Sequence, residues 1–540
     1  MKIRIERILF IVLQVVLFAL LVGPALARVG IQCPFPLLTH NGLSYNQNNP
    51  EISLDPNCRY STSGPPANFT QVCQVDINPV TGQPSGRTVI PRFGNSSSIL
   101  LLNPTAPNAV FHNATTQARF NRCFVNPVAP LPSYCAFSNG TSHVRCRSIT
   151  CGDGHALMGD RDRTGNADLV GNGDTYIFGF RDVTGVPADQ VLTTGFAGAQ
   201  HLAPTMVADQ NEELWLTLTN AGFRERPDLV DAHTVHYHGF PNAGSIFDGE
   251  PMASFGINIG SSLTYYYKNV EPGTYMWHCH VEAAEHMQMG MLGQLYVNPK
   301  QDAQVAAAPA LNASVPPPVP LFPASIGGFT NFAYNDCTTY PIVNGATADP
   351  MCGVTGYNIL KPVEITSFDP TFHHFDQTYQ KVRFDLMNDT YPMLNGRGYP
   401  DTIVATPIIN NGTPFDPTHL PSQPFDTVIA IPAGGKALVR MPSLSTVDFY
   451  TVTVLGIPME VVGQGARLLR GPDPGIAGQF GLSTIYKTNS VTLGGGEAYD
   501  IILDATNVPA GTYFMYTSNL NGLNNTDEDF GGMMTEIVVN

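Results

Sequence analysis

From Thr175 onward the chain alternates apolar and polar residues in short runs, TYIFGF and ELWLTLTN first, each bounded by Gly, Asn or Pro. Successive strand residues face opposite sides, so this period of two predicts half-buried β-strands. The same texture returns in VRFDLMN, TVIAIPA, KALVRM, FYTVTVLGI and YDIILDA, with no helical stretch of comparable strength. An all-β protein is expected. Two lengths of the pattern are alike: NVEPGTYMWHCH at 269–280 aligns with NVPAGTYFMYTS at 507–518, and HTVHYHGF at 233–240 with YTVTVLGI at 450–457. Such a repeat predicts two β-sandwiches of one fold. Between them, residues 303–323, QVAAAPALNASVPPPVPLFPA, read as a semi-extended proline-rich linker.

The rest of the chain reads differently. Lys2, Arg4 and Arg7 precede an apolar run from Ile8 to Val22, and Ala25-Leu26-Ala27 offers small residues for cleavage. This is the pattern of a secretory signal peptide over 1–27, with an uncleaved anchor as the alternative. Export to the periplasm, the outer surface or the medium follows as an expectation. Residues 28–150 are rich in Cys, Pro, Asn and Ser with little periodicity, which predicts a loop-rich, disulfide-stapled extension. The expected organisation is then a first sandwich at 151–300, linker and loop at 301–360, and a second sandwich at 361–540. Composition changes this picture little: 43% hydrophobic and 13% charged residues, with 51 Gly and 45 Pro, suit β-sandwiches with many turns. A formal net charge of −16 argues against nucleic acid as a partner.

The chemistry concentrates in two segments, HTVHYHG at 233–239 and WHCHVEAAEHMQMGM at 277–291. On a strand His236 and His238 share a face, and so do His278 and His280. Cys279 points the other way, where His233 joins it by its odd offset from His236. One ligand set is therefore His233, Cys279, His286 and Met291: two imidazoles, a thiolate and a thioether, the composition of a blue-copper centre with an axial methionine. The other is His236, His238, His278 and His280. The covalent path His278-Cys279-His280 joins the two sets. Zinc also binds histidine and cysteine, but the methionine and the alternating HCH favour copper.

HTVHYHG followed by HCH, a further histidine and Gly-Met resembles the copper-binding signature of multicopper oxidases, in the version carried by the domain that holds the type 1 copper. Five residues, Val281 to Glu285, separate His280 from His286 where laccases usually have three. The surrounding text, including HGFPNAGSIFDGEP and YPMLNGRGYPDT, is similar to large bacterial exported multicopper oxidases of the metal-oxidising kind over about residues 170–540. The resemblance implies two cupredoxin-like Greek-key β-sandwich domains and a copper-dependent oxidoreductase. It implies that His236 binds a type 2 copper, that His238, His278 and His280 bind a type 3 pair, and that a metal ion or small reductant and dioxygen are the substrates. The family's cluster takes eight histidines, four from each of two domains, and only four stand here.

In the aligned repeat, His233, His236 and His238 become Tyr450, Thr453 and Leu455, and His278, Cys279 and His280 become Tyr516, Thr517 and Ser518. The second sandwich offers only His373 and His374, expected at a strand edge, and His419 in a loop. The missing ligands are expected from another chain, in an oligomer or from a partner. The competing reading is an electron-transfer or copper-binding module without oxygen chemistry of its own. Glu282 and Glu285, in the loop joining Cys279 to His286, are candidates to hold Mn(II) or Fe(II). Asp248 and Glu250 in FDGEP are candidates for proton delivery. Asp160, Asp162 and Asp168 around Gly165 are spaced like the loop ligands of a calcium ion, without the closing glutamate of an EF-hand. Cys337 and Cys352 form an isolated downstream couple. Cys33, Cys58, Cys73, Cys123, Cys135, Cys146 and Cys151 are odd in number, which leaves one thiol free or paired with another chain.

Overall fold

A computed structural model describes residues 143–158, 174–186, 188–241, 244–313, 323–337, 349–410, 420–472, 480–526 and 528–540, and the backbone of five short strands before residue 139. The expected signal peptide, most of the cysteine-rich extension, Asp160, Asp162, Asp168 and His419 lie outside these residues.

The protein is all-β, built as two sandwiches. In the first, one sheet holds β1 (His143–Leu157), β2 (Asp174–Asp182), β4 (Glu212–Gly222) and β6 (Ser262–Lys268). The facing sheet runs β5 (His236–His238), β7 (Gly273–His278), β8 (Leu292–Asn298) and β3 (Met206–Asp209). The alternation read from the sequence is realised: Leu214, Leu216 and Leu218 of β4 are buried while Glu213, Trp215 and Thr217 are partly exposed. Their inward faces meet Phe178, Phe180, Tyr237, Tyr275 and Trp277 in one core.

The second sandwich repeats this plan. Strands β9 (Ile359–Pro362), β11 (Lys436–Pro442), β15 (Ala498–Asp504) and β13 (Met459–Gln464) lie in one sheet. The other sheet runs β10 (Ile429–Ile431), β17 (Met534–Val539), β16 (Gly511–Thr517), β12 (Tyr450–Val454) and β14 (Ser490–Leu493). Parallel pairs fall at matching places, β1 with β4 and β3 with β8 in the first sandwich, β9 with β11 and β10 with β17 in the second. Even a single hydrogen bond recurs: Cys279 N–H donates to the Met291 carbonyl at 3.1 Å, and Thr517 N–H to that of Met533 at 3.1 Å.

Strand β7 joins the halves. All six of its residues are buried, because Tyr275 and Trp277 face their own core while Thr274 and Met276 face the second sandwich. Met276 packs with Leu444 and Ala498. Thr274 Oγ1 donates to Asp500 Oδ1 at 2.5 Å, and Arg440 pairs with the same carboxylate at 3.0 Å.

Two expectations change. Part of the span read as extended linker is helix α2 (Lys300–Ala313): QDAQVAAA supplies strong helix formers, the helix continues past Pro309, and the proline cluster lies beyond its end. Beyond residue 323 the chain packs against the second sandwich, where Tyr334 hydrogen-bonds Asp500 and Cys337 forms a disulfide with Cys352, the expected pair. His373 and His374 lie in helix α3 (Pro370–Gln377), not at a strand edge. Asp369 caps that helix by accepting from Thr371 and Phe372 N–H, and Pro370 supplies a first-turn φ, signals that outweigh the weak periodicity. Among the described residues Cys151 and Cys279 carry free thiols, both buried.

Candidate metal centre

Strands β5 and β7 pair antiparallel with His236 opposite His278, Tyr237 opposite Trp277 and His238 opposite Met276. This register decides the site. Tyr237 and Trp277 enter the core, so the flanking histidines of both strands emerge together on the other face. His238 Nδ1 lies 3.3 Å from His278 Nε2, and ligand nitrogens of His236, His238 and His278 all fall within 4.8 Å of one another. His280 stands beside them, its ring 4.9 Å from that of His236.

Two of these rings are held by Nδ1 and turn Nε2 toward the cluster. His236 donates Nδ1–H to the Asp248 carbonyl at 2.7 Å, and His278 donates Nδ1–H to the Cys279 carbonyl at 2.7 Å. Hydrogen bonds of this kind fix the tautomer of a ligating histidine. Burial first, then neighbouring imidazoles, hold His238 below its ordinary pKa and take His278 down to about 3. Neutral rings with bare nitrogens are what a metal ion requires.

On the opposite side of β7 the Cys279 sulfur is fully buried. His233 Nδ1 lies 3.7 Å from Sγ and His286 Nδ1 3.3 Å from it. Both rings turn the same nitrogen to sulfur. Met291, also fully buried, sits at the end of the loop, with its N–H on the His286 carbonyl at 2.8 Å. Burial takes the His233 pKa well below its ordinary value. Burial also opposes charge on His286, but the Cys279 sulfur and the Asp231 carboxylate outweigh it and raise that group to about 10.

Several supporting residues escaped the sequence reading. Thr234 Oγ1 accepts from His280 N–H at 3.0 Å and so stitches the two histidine segments together. Tyr265 and Tyr267 pack in the core, and their hydroxyls also bind the Val235 N–H at 3.2 Å and carbonyl at 3.3 Å, fixing the main chain just before His236. Asp231 Oδ2 lies 3.7 Å from His286 Nε2. No periodicity marks these positions, which only the tertiary fold brings to the site.

The acidic candidates separate. Glu282, largely exposed, comes within 4.0 Å of His286 Nε2 and forms a potential metal-holding group with Asp231 and that ring. Glu285 instead hydrogen-bonds Asp376, and burial pushes both carboxyls above their ordinary range. Asp248 Oδ2 stands 3.5 Å from His236 Nδ1. Among the described residues the second sandwich contributes no imidazole here. His373 is buried and bonded to the Tyr176 and Gln288 carbonyls, and the turn before β15 brings Gly496 against His238, where a Cβ would meet Nε2 at 3.0 Å.

Residues 183–302 match the family model described as multicopper oxidase. No curated protein matches the chain by sequence. Among solved structures, the blue copper oxidase from Nitrosomonas europaea is similar at 18% identity, covering 73% of this chain and 85% of that one with a TM-score of 0.45. A laccase from Botrytis aclada gives 13% identity, 73% and 52% coverage and a TM-score of 0.41. A copper nitrite reductase from Nitrosomonas europaea gives 11%, 74% and 94%, and 0.40. The matched segment contains His233, His236, His238, His278, Cys279, His280, His286 and Met291, so the stretch of chain that carries both histidine segments is the one that matches the multicopper oxidase family.

Proposed function

We propose that the chain is an exported copper-dependent oxidase that takes electrons from Mn(II), Fe(II) or a small reductant at the Cys279 centre and passes them to the four-histidine face, where dioxygen is reduced. One observation carries the reading: two Nδ1 atoms converge on a buried thiol beside a buried methionine, back to back with a second group of imidazoles. The donor set fits copper, since thiolate and thioether are soft and imidazole suits it equally. Bound there, copper supplies one-electron transfer. His233, Cys279, His286 and Met291 would hold the type 1 ion, and His236, His238, His278 and His280 the type 2 and type 3 ions. The backbone from His278, at the end of β7, to His280 supplies the short path between them.

The remaining residues divide the work. Glu282 and Asp231 offer hard oxygen donors to a divalent reductant next to His286 Nε2, the ring edge that faces away from sulfur. Glu285 supports that edge through Asp376. Asp248 stands beside His236, near enough to hand protons to the four-histidine face.

A second reading, a type 1 electron-transfer module without its own oxygen reduction, is favoured by the repeat. Tyr450, Thr453, Tyr516 and Ser518 stand where ligands would be, so the other four histidines are not in the second sandwich. Copper stoichiometry, the visible spectrum and oxygen uptake of the purified chain separate the two. About four copper ions per functional unit with oxygen consumption supports the oxidase; about one copper with an intense thiolate band and no oxygen uptake leaves the module. Replacing Cys279 with Ser abolishes the band in either case, and its persistence would refute the ligand assignment.

A further inference from the structure

The loop that carries His286 and Met291 is fastened from outside its own sandwich. It forms a short helix, α1 (Ala283–Gln288), followed by Met289 and Gly290. Within its own sandwich the loop is held by Phe178 N–H on the Met289 carbonyl at 2.9 Å and Cys279 N–H on the Met291 carbonyl at 3.1 Å, and by Met289 and Met291 in the core. Gln288 lies two residues after His286 and three before Met291, is fully buried, and turns its amide into the second half of the molecule.

There both N–H donors of that amide and its oxygen are engaged. Nε2 donates to Asp389 Oδ1 at 2.7 Å and to Thr446 Oγ1 at 2.9 Å, and Oε1 accepts from Asp369 N–H at 3.0 Å. Its partners are themselves fixed. Asp389 also accepts from Ser367 Oγ, and Asp369 caps α3 with one oxygen while the other accepts from Asn388 N–H at 2.9 Å. The Gln288 carbonyl meets His373 Nε2 at 2.8 Å, and the other nitrogen of that ring meets the Tyr176 carbonyl at 2.6 Å. Burial keeps His373 neutral near pH 7, its pKa taken down to about 4, so its one N–H serves one carbonyl at a time. Gly290 completes the seat: a Cβ there would strike the Phe178 carbonyl at 2.8 Å and approach Phe368 at 3.3 Å.

We infer that Gln288 is a positioning residue for the type 1 copper, through which the second sandwich, stripped of its own ligands, holds His286 and Met291 at their ligating distance. The inference rests on the type 1 reading. An amide with both donors and its oxygen engaged in a buried place specifies one geometry, and the two ligands nearest to it in sequence inherit that geometry.

The test uses the full chain loaded with copper, comparing wild type with Gln288→Ala, Gln288→Asn and, as a stability control, Val452→Ala in the core of the second sandwich. The Gln288 variants are expected to shift the thiolate band, the copper hyperfine coupling and the reduction potential, and to weaken copper binding about 10- to 100-fold. Val452→Ala lowers Tm and leaves those signatures in place. Gln288→Glu combined with Asp389→Asn reverses the donor and acceptor of the 2.7 Å bond and restores the wild-type spectrum. If Gln288→Asn, which keeps the amide but shortens it, and Gln288→Ala both match Val452→Ala in spectrum and potential, the inference is overturned. So is it if the reversed pair fails to restore the band that Gln288→Ala shifts. A wild-type chain with copper but no thiolate band would instead sink the type 1 reading itself.

Discussion

His286 offers one ring nitrogen to sulfur at 3.3 Å and the other to carboxylate oxygens at 3.7 and 4.0 Å, so a single side chain spans the buried ligand pocket and the acidic surface. His236 is placed as economically, held through the Asp248 main chain while the Asp248 carboxylate stands 3.5 Å from the same ring nitrogen. Because the ring is oriented by a carbonyl, Asp248→Asn should leave copper content unchanged and lower oxygen reduction by about 100-fold. Parallel copper analysis and oxygen uptake check this, and equal loss of both would make Asp248 structural only. At this scale the sequence was most legible. Strand parity alone sorts His233 with Cys279 and His236 with His238, because the period of two is a rule of backbone geometry. Thr234, Asp231 and Gln288 were not legible, since their roles depend on which distant residue the fold brings opposite.

At the scale of elements, the β-texture foretold both sandwiches and their repeat, while the helices were hidden. Helix α3 is recognisable only by its Asp-Pro start, and α2 by an alanine run that the following prolines obscure. Helix α2 is tied back by Asp302, whose carboxylate accepts from Phe332 N–H at 2.9 Å. Burial raises the Asp302 carboxyl to about 7. A carboxyl more basic in the folded than in the unfolded chain stabilises the fold while protonated. That contribution is full below about pH 4 and is lost as pH rises through about 7. Asp302→Asn keeps an acceptor oxygen and cannot ionise. The variant should therefore gain stability relative to wild type between pH 4 and 7, by no more than about 1.4 kcal/mol per pH unit, in urea unfolding at a series of pH values.

The whole molecule depends on a polar knot in its middle. Arg440 and Asp500 are each about 1% exposed, and Asp500 also takes Thr274 of β7 and Tyr334 of the segment after α2. Three parts of the chain thus meet on one carboxylate. Removing it strands a buried guanidinium, so Asp500→Ala should cost about 3–5 kcal/mol in denaturant unfolding. Replacing Arg440 and Asp500 together by Met and Leu should cost much less, because no unpaired charge remains. An equal loss in the double variant would show that packing, not charge, governs the junction.

The contact between Gly496 and His238 bears on how the four-histidine face can ever be completed. Glycine lets the second sandwich come up to that imidazole with bare main chain, within 3.0 Å of where a Cβ would stand. The chain has thereby blocked one line of approach with its own fold. Additional imidazoles, whatever molecule bears them, must arrive past Gly496, where His236, His238 and His280 remain partly open to solvent. Direction of entry becomes a selection rule for any companion of this protein.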